Sequence, residues 1–425
     1  MWIEWTEAEE LEGRGRVREA LVATGARFFE LPRGLCVVER AAPWMESLAQ
    51  IKGVRAVTTL QTPYKLAART VRPEGTTVRI GDVVVGGREL VVTAGPCSVE
   101  TPEQMREAAA SVRSSGARLL RAGAYKPRTS PWAFQGLGAQ GLEILHAAGQ
   151  ASGLPTVTEV MSVEDVERVA EHADVLQVGA RNAQNFPLLT ALGKIDRPVL
   201  LKRGPAMTLD ELLLAADYVL AGGNPRVMLC ERGLRSWDPA TRNLLDLAAV
   251  AALKQRTHLP VWVDPSHGVG RRELVAPLAR AAVAVGADGL LIEVHPRPAA
   301  SWTDADQALG LEEFAALMRG LSLDCALHGR ALSTAAVRDA GDLEHQRRRI
   351  DALDDALVRL LAARVEIGQA VGRGKRRLGH PIHAPERERA VLGHVERVAH
   401  GLADPTAVVR AFEAVIRETR GAQEA

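Results

Sequence analysis

Eight short runs of β-branched or leucine-rich residues recur along the middle of this 425-residue chain, and helical segments separate them. The runs are LVVTAG (90–95), LLRAGA (119–124), TVTEV (156–160), VLQVGA (175–180), VLLKRG (199–204), VMLCERG (227–233), VWVDPSH (261–267) and LLIEVH (290–295). Near-continuous apolar strands joined by helical crossovers indicate a parallel sheet covered by helices. Eight such units predict an α/β fold of the (β/α)8 type, a TIM barrel, while the pattern alone leaves an open doubly wound sheet as the alternative.

Polar residues end nearly every run, and their positions favour the barrel. They are Cys97, Arg121, Lys126, Glu159, Gln177, Arg181, Lys202, Glu231, Arg232, Asp264, His267 and Glu293. Because the carboxyl ends of barrel strands and the loops after them form a single mouth, side chains distant in the sequence converge there. A lone lysine at a strand end is ordinarily a salt-bridged core residue, but cationic residues here recur on five strands.

Two flanking regions lack the strand–helix alternation. Residues 1–75 mix helical signals (EAEELEGRGRVREALVAT, WMESLAQI) with strand signals (FFELPRGLCVVE, VRAVTTL), which predicts a small α+β domain before a hairpin in TVRIGDVVVGG. We expect the barrel over 76–322, a linker over 323–340 and a helical domain over 341–425. In the helical domain, a heptad-like seam carries an arginine in its middle. Its members are Ile350, Leu353, Leu357, Leu360, Arg364, Ile367 and Val371.

Charge and composition argue against several classes of protein. The formal net charge of +1 gives no overall attraction to nucleic acid or to a membrane. We expect a cytoplasmic protein, because the acidic opening MWIEWTEAEELEG lacks an apolar signal region and no run of 18 apolar residues occurs. The four cysteines, Cys36, Cys97, Cys230 and Cys325, show no paired spacing, which argues against a disulfide framework.

The predicted mouth offers a set of metal ligands and a set of cations. A thiol, an imidazole and two carboxylates, from Cys97, His267, Glu293 and Asp304, suit Mn, Fe, Co or Zn, although an inert buried cysteine and an ordinary turn would give the same pattern. The cations are Arg121, Lys126, Arg128, Arg181, Lys202 and Arg232. Arginine forks fit phosphates and carboxylates, so these six suffice for two phosphorylated ligands. A solvated basic rim is the alternative, but these cations lie within or beside strands.

Eight motifs occur in order along the predicted barrel. They are AGPCSVE (94–100), RAGAYKPRTSP (121–131), FQGLG (134–138), VGARNAQN (178–185), LLKRG (200–204), CERG (230–233), DPSHGVGRR (264–272) and EVHP (293–296). Together, over residues 60–320, they resemble 3-deoxy-D-arabino-heptulosonate 7-phosphate (DAHP) synthase of the type I beta group. The sister enzyme, 3-deoxy-manno-octulosonate 8-phosphate synthase, typically has Lys-Ala-Asn-Arg where this chain has Lys-Pro-Arg-Thr at 126–129, which favours the heptulosonate enzyme. A catalytically inactive scaffold is a remote alternative.

The resemblance implies a metal-dependent condensation of phosphoenolpyruvate with erythrose 4-phosphate. The implied metal ligands are Cys97, His267, Glu293 and Asp304, with Asp306 as a competitor for the last position. The implied phosphoenolpyruvate ligands are Arg121, Lys126, Arg181, Lys202 and Arg232, and Arg128 with Thr129 would bind the phosphate of erythrose 4-phosphate. The metal would act as a Lewis acid on the aldehyde, and Lys126 would protonate the forming alkoxide. The N-terminal domain resembles a ferredoxin-like regulatory domain, which implies feedback by tyrosine or phenylalanine.

Two C-terminal motifs, RRRIDALDDALVRLLAARVEIGQAVGRGK (347–375) and PERERAVL (385–392), resemble the all-helical class of chorismate mutase. An arginine in an apolar seam needs a buried carboxylate or an anionic ligand, and the resemblance favours the ligand for Arg364. The implied chorismate-binding residues are Arg347, Arg364, Lys375, Arg387, Glu388 and Gln423. Of these, Arg364, Lys375 and Glu388 are the expected catalytic residues of a rearrangement to prephenate that needs no cofactor.

The resemblance also concerns assembly. In that mutase class the first arginine, here Arg347, crosses from the partner subunit, so we expect a homo-oligomer, either a dimer or a tetramer. Ala384 departs from the family pattern, in which Asp is common. The alternative is therefore a tail that only binds chorismate or prephenate, as a feedback and dimerisation module.

Overall fold

The computed structural model describes residues 1–6, 11–39, 42–334, 340–401 and 403–424. The chain divides into two compact units, Met1–His345 and Gln346–Ala425. This division falls close to the start of the predicted helical domain at residue 341. Among the described residues, none of the helices combines the length and apolar character that crossing a membrane requires.

The first unit opens with a four-stranded antiparallel sheet. Its elements are β1 (Trp2–Trp5), α1 (Leu11–Ala23), β2 (Phe28–Leu31), β3 (Gly34–Val37), a 3-10 helix (Pro43–Gln50) and β4 (Val54–Thr58). The strand order β2-β3-β1-β4 is that of a ferredoxin-like fold, and the α+β prediction is confirmed. The run FFELPRGLCVVE, predicted as one strand, is a hairpin instead, because the chain turns at Pro32 and Arg33. Residues 7–10 of the first predicted helix lie outside the described residues.

The barrel has the eight predicted strands. A hairpin of β5 (Val78–Ile80) and β6 (Val83–Val85) precedes them, as predicted. The strands are β7 (Glu89–Gly95), β8 (Leu119–Arg121), β9 (Thr156–Val160), β10 (Val175–Val178), β11 (Val199–Lys202), β12 (Val227–Glu231), β13 (Val261–Val263) and β14 (Gly289–Glu293). Neighbours pair in parallel and β14 pairs with β7, so the sheet closes into a ring and the open doubly wound alternative is wrong.

Helices cover the outside of the barrel. They are α2 (Pro102–Ser114), α3 (Ala139–Ser152), α4 (Val166–His172), α5 (Phe186–Leu192), α6 (Leu209–Ala221), α7 (Leu247–Arg256), α9 (Arg272–Ala284) and α10 (Leu311–Leu327), with 3-10 turns at Arg69–Val71, Ala180–Asn182 and Pro298–Ala300. The short helix α8 (Pro265–Val269) instead carries His267 at the mouth. Thr208 and Glu211 form a reciprocal capping box at the start of α6. Thr101 caps α2 through the amide of Gln104, but the Gln104 side chain bonds the amide of Glu100 instead of closing a second box.

Several predicted strand runs extend beyond the strands themselves. Residues 264–267, for example, leave the ladder and enter α8, because Pro265 cannot donate a ladder hydrogen bond. Within the region predicted as a helix end and linker, α10 ends at Leu327 and a two-residue strand, β15 (Ala331–Leu332), pairs with β7. The loops after the barrel strands differ in length, and those after β8, β12 and β14 are long.

The second unit is helical, as predicted. It is built from α11 (Ala340–Leu378), α12 (Pro385–Ala399) and α13 (Pro405–Glu424). Proline stands at the first position of both α12 and α13, where its missing amide hydrogen costs nothing. Glycines of α11 allow close approach to α13: a Cβ at Gly368 would lie 2.5 Å from the Thr419 methyl carbon, and one at Gly372 would meet the backbone of Gln423.

Candidate active sites

Four side chains of the barrel mouth converge on one point. Cys97 follows β7, His267 lies in α8 after β13, Glu293 ends β14, and Asp304 lies in the following loop. One ligand atom from each lies within 4.8 Å of all the others. Cys97 Sγ is 3.0 Å from Asp304 Oδ2, and His267 Nε2 is 3.1 Å from Glu293 Oε1. Asp304, and not Asp306, belongs to this group, and among the described residues it is the one non-glycine with positive φ, 53°.

The surrounding polar groups orient this cluster. Asp264 Oδ2 lies 2.8 Å from His267 Nδ1 and 2.6 Å from Lys202 Nζ, which leaves His267 Nε2 facing Glu293. Burial opposes the charged form of Asp264, but His267 and Lys202 outweigh it and hold the pKa of this carboxyl well below its ordinary value. The imidazole is therefore fixed in orientation by a permanent anion.

The donor set fits a divalent transition metal. It combines one sulfur, one imidazole nitrogen and two carboxylates, all of them buried or half-buried. Burial and the nearby Glu293 raise the pKa of the Cys97 thiol to about 12, although Lys126 acts in the opposite direction. A bound dication would reverse this balance, because a metal deprotonates the thiol that coordinates it.

A cleft of about 340 Å³ opens beside the cluster. Five of the six predicted cations line it, together with Thr129: Lys126, Arg128, Arg181, Lys202 and Arg232. Arg121 is not among the lining residues. It is buried behind the cluster, where its Nη1 donates to Glu293 Oε1 at 3.0 Å and to the Pro96 carbonyl at 2.7 Å.

The sequence assigned no role to Glu159, Asp264 or Arg242, although all three lie at the mouth. Glu159 and Asp264 are polar strand ends in the sequence, but their contacts with other residues of the mouth become visible only in the fold. Asp264, for example, contacts both His267 and Lys202. Glu159 lines the cleft, and burial raises its pKa although Lys126 and Lys202 oppose that effect. Arg242 also lines the cleft, but it lies in the long loop after β12, so no strand-end signal points to it.

A second cleft, of about 320 Å³, lies among the three helices of the second unit. It collects five of the six residues that the mutase resemblance implies: Arg364, Lys375, Arg387, Glu388 and Gln423. Arg364 donates to the Thr419 hydroxyl and to the Val415 carbonyl, both neutral acceptors. Lys375 Nζ donates to the Ile382 carbonyl at 2.7 Å.

The remaining features of this cleft differ from the sequence interpretation in two places. Arg347 is not among the lining residues. Arg420, which the sequence analysis did not single out, lines the cleft and holds Glu388 at 2.9 Å. Ala384 also lines the cleft and stands immediately before α12, at the N-cap position.

Side-chain chemistry of this kind at the carboxyl end of a (β/α)8 barrel places the protein among the barrel enzymes that act on anionic substrates. Comparison with known families is more specific. Residues 63–324 match the DAHP synthetase I family, and residues 346–424 match the family Chorismate mutase type II. The chain belongs to the DAHP synthetase I family and carries a C-terminal chorismate mutase type II domain.

Individual relatives agree with this assignment. A phospho-2-dehydro-3-deoxyheptonate aldolase of Thermotoga maritima is 49% identical over 266 residues, which cover 63% of this chain and 79% of the relative. A 2-dehydro-3-deoxyphosphooctonate aldolase of Acidithiobacillus ferrooxidans is 35% identical over 245 residues, covering 53% of this chain and 86% of the relative. The crystal structure of the T. maritima DAHP synthase has a TM-score of 0.64 at 40% identity, covering 78% of this chain and 98% of that chain. Its truncated form has a TM-score of 0.60 at 44% identity, covering 63% and 98%.

Proposed function

We propose that the chain is a bifunctional enzyme that condenses phosphoenolpyruvate with erythrose 4-phosphate to DAHP and phosphate, and rearranges chorismate to prephenate. The observation that carries the proposal is that each of two clefts collects most of the side chains that the family resemblance implies for its reaction. One cleft combines a metal-ligand cluster with phosphate-binding cations, and the other combines cations with a single carboxylate. All three substrates are anionic, so the cations of each cleft suit the substrates proposed for it.

Cys97, His267, Glu293 and Asp304 would hold a divalent ion of Mn, Fe, Co or Zn, whose chemistry would be Lewis acidity toward the aldehyde oxygen of erythrose 4-phosphate. Lys126, Arg181, Lys202 and Arg232 would bind the phosphate and carboxylate of phosphoenolpyruvate. Arg121 belongs to this set by resemblance, and contact with the substrate would require its guanidinium to share the bonds that it makes to Glu293 and Pro96.

The condensation requires two proton transfers, which we propose for Lys126 and Glu159. The C2=C3 π electrons of phosphoenolpyruvate form the bond from C3 to C1 of the tetrose, the aldehyde oxygen becomes an alkoxide, and water adds at C2. The C2–O bond to phosphate then breaks, and the C2 hydroxyl becomes the ketone as it gives its proton to the departing phosphate. Lys126, whose Nζ donates to Cys97 Sγ at 2.8 Å, lies where it can protonate the alkoxide formed at C1. Glu159 is a half-buried carboxylate that lines the same cleft, and it would accept the proton that the attacking water loses. Arg128 and Thr129 would hold the tetrose phosphate at the other end of the cleft.

The helical cleft would act by orientation and electrostatics alone. Arg364 and Lys375 would hold the carboxylates and the ether oxygen of chorismate in the reactive conformer, and Arg387, Glu388 and Gln423 would complete the contacts. Because Arg364 donates to a carbonyl and a hydroxyl, which are both neutral, its counter-charge would come from the substrate. No cofactor enters this reaction.

We further propose that the helical unit pairs with a second copy. Seam residues of α11 stay exposed in the single chain: Ile350 by 57%, Leu357 by 54% and Ile367 by 66%. An exposed row of apolar residues on a long helix is typical of a helix–helix interface. Pairing would also explain why Arg347 does not line the cleft of its own chain, because it would enter the cleft of the partner.

We also propose a reducing, cytoplasmic setting, with which the four free thiols agree.

Two paired variants test the bifunctional proposal. Metal-loaded protein is incubated with phosphoenolpyruvate and erythrose 4-phosphate, and separately with chorismate. The ultraviolet absorbance of phosphoenolpyruvate is followed in the first reaction and that of chorismate in the second. We expect Cys97→Ala to abolish only the condensation and Arg364→Ala to abolish only the rearrangement. Cys36→Ala, a buried thiol of the N-terminal sheet, and Arg373→Ala, an exposed arginine of α11, serve as matched controls and should retain both activities.

Other outcomes would favour specific alternatives. If chorismate persists yet slows the condensation, the tail is a binding module, an alternative that Ala384 favours because the family pattern often has Asp there. If phosphoenolpyruvate is consumed only with arabinose 5-phosphate, the barrel is an octulosonate synthase.

A further inference from the structure

Two consecutive residues of the loop after β12, Arg242 and Asn243, lie against the helix that carries His267. The Arg242 amide donates to the Val269 carbonyl at 2.9 Å, and the Asn243 amide donates to the Gly268 carbonyl at 3.0 Å. The Asn243 side-chain amide donates to the carbonyl of His267 itself at 2.9 Å. The approach is so close that a Cβ at Gly270, where φ is +67°, would lie 2.5 Å from the Cβ of Arg242. The loop is therefore fastened to α8 by three hydrogen bonds.

The Arg242 side chain reaches the two carboxylates of the metal-ligand cluster. Its Nη1 lies 3.1 Å from Asp304 Oδ1 and 2.9 Å from Gln307 Oε1. Gln307 in turn donates from Nε2 to Glu293 Oε2 at 2.5 Å. One guanidinium thus contacts Asp304 directly and Glu293 through a single amide. Asp304 has a left-handed backbone conformation that few non-glycine residues adopt, so contacts with its neighbours must hold it there. The bond from Arg242 to its carboxylate is one such contact.

We propose that Arg242 and Asn243 form a clamp that holds His267, Glu293 and Asp304 in ligating positions before the metal binds. The inference rests on the proposed metal site. Arg242 is then a positioning residue for Asp304 and, through Gln307, for Glu293, while Asn243 holds the backbone of His267. Outer partners that orient metal ligands typically contribute about 10–100-fold to metal affinity, so loss of the guanidinium should weaken metal binding by about that factor.

The competing role for Arg242 is that of a substrate cation, because its side chain is 40% exposed and lines the cleft. The two roles differ in what they leave unchanged. If Arg242 is a positioning residue, replacing it changes the dissociation constant of the metal and leaves the KM values for both substrates unchanged once the metal is saturating. If Arg242 binds substrate, replacing it raises a KM value and leaves the metal affinity unchanged.

The experiment compares Arg242→Met with Arg256→Met. Arg256 is a matched control, because it forms an arginine–aspartate pair with Asp210 at 3.2 Å on the exposed surface. Dissociation constants for Mn²⁺ and Co²⁺ are measured by competition with a chromophoric chelator, without any substrate. We expect Arg242→Met to raise the dissociation constant about 10–100-fold and Arg256→Met to leave it unchanged. Arg242→Lys retains the charge but loses the fork, so its constant should lie between those of the wild type and Arg242→Met.

Unchanged metal affinity in Arg242→Met and Arg242→Lys, with a raised KM for either substrate, would overturn the clamp while leaving the proposed metal site intact. Failure of the unmodified protein to bind one metal ion would remove the metal site and the clamp together. Restored condensation in Arg242→Met at saturating metal, with both KM values unchanged, would support the positioning role.

Discussion

Lys126 Nζ lies 2.8 Å from Cys97 Sγ and 3.1 Å from the Cys97 carbonyl oxygen, so the proposed proton donor directly contacts a proposed metal ligand. Both residues are buried at the junction between the metal-ligand cluster and the cleft. A cation at this position favours the thiolate form of Cys97 and also faces the place where the alkoxide would form. The two halves of the condensation site are therefore coupled through one side chain.

We expect Lys126→Met to lower kcat of the condensation by about 10²–10⁴-fold, because the variant loses its general acid. Release of inorganic phosphate at saturating substrates measures this effect. Lys254→Met is the matched control: Lys254 forms an ion pair with Asp288 at 2.6 Å and does not line the cleft. A wild-type kcat in Lys126→Met would assign the proton transfer to another group.

Ala384→Asp should stabilise the helical unit. Helix α12 begins after Ala384 with no side-chain hydrogen bond at its N-cap, so an aspartate would provide an acceptor for a first-turn amide. We expect a gain of about 0.5–2 kcal/mol in the free energy of unfolding of this unit, measured by denaturant titration. Residue 384 lines the cleft, where an aspartate carboxylate would accept a hydrogen bond from a hydroxyl group of chorismate, so a lower KM for chorismate should accompany the gain. Ala384→Asn supplies the cap without the charge and should share the stabilisation; no gain with either residue would contradict the cap argument.

The barrel could be predicted from the sequence because its strands are buried on both faces. Such strands appear as near-continuous apolar runs, and their polar ends mark the mouth, as Lys202 and Glu293 illustrate. The convergence of Cys97, His267, Glu293 and Asp304 could be predicted by the same logic, since three of these residues lie at or just after strand ends. The hairpin turn at Pro32 was missed because both of its strands have equally apolar residues.

Other parts of the sites depend on contacts that no local pattern encodes. Arg242 meets Asp304 across 62 residues of sequence, and Arg420 meets Glu388 across 32. The distinction between Asp304 and Asp306 depends on the backbone conformation of one loop, where Asp304 has φ of 53°. Spacing alone gives these aspartates equal standing, and only the folded loop separates them.

Leu357→Asp should disrupt self-association through the helical unit. Leu357 is 54% exposed on α11, and a charge in an apolar helix seam disfavours pairing. We expect a lower mass in sedimentation equilibrium and a lower mutase rate, because Arg347 would no longer enter the partner's cleft. Leu327→Asp, a leucine of α10 with 59% exposure, is the matched control and should change neither. A Leu357→Asp variant of unchanged mass and mutase rate would contradict pairing through this seam.

His258 should make the first unit lose stability in mild acid. Burial lowers the pKa of this imidazole to about 4, although its bond to the Leu66 carbonyl acts in the opposite direction; the ring also contacts the Thr76 hydroxyl at 2.7 Å. Between the ordinary pKa of about 6.5 and about 4, the unfolded chain binds a proton that the folded chain does not, so stability falls as pH falls through this window. A shift of this size corresponds to about 3 kcal/mol, fully lost below the lower value and fully retained above the upper one.

The measurement is the free energy of unfolding by denaturant at about pH 7 and about pH 4.5 for the wild type and for His258→Gln. Glutamine keeps polar atoms near Thr76 and Leu66 but does not titrate, so the variant should lose less stability than the wild type between the two conditions. His146→Gln, which replaces an exposed histidine of α3, should follow the wild type. If His258→Gln and the wild type lose the same free energy of unfolding between the two conditions, other buried groups govern the acid sensitivity. The contacts of His258 with Leu66 and Thr76 would then not be the pH-dependent ones.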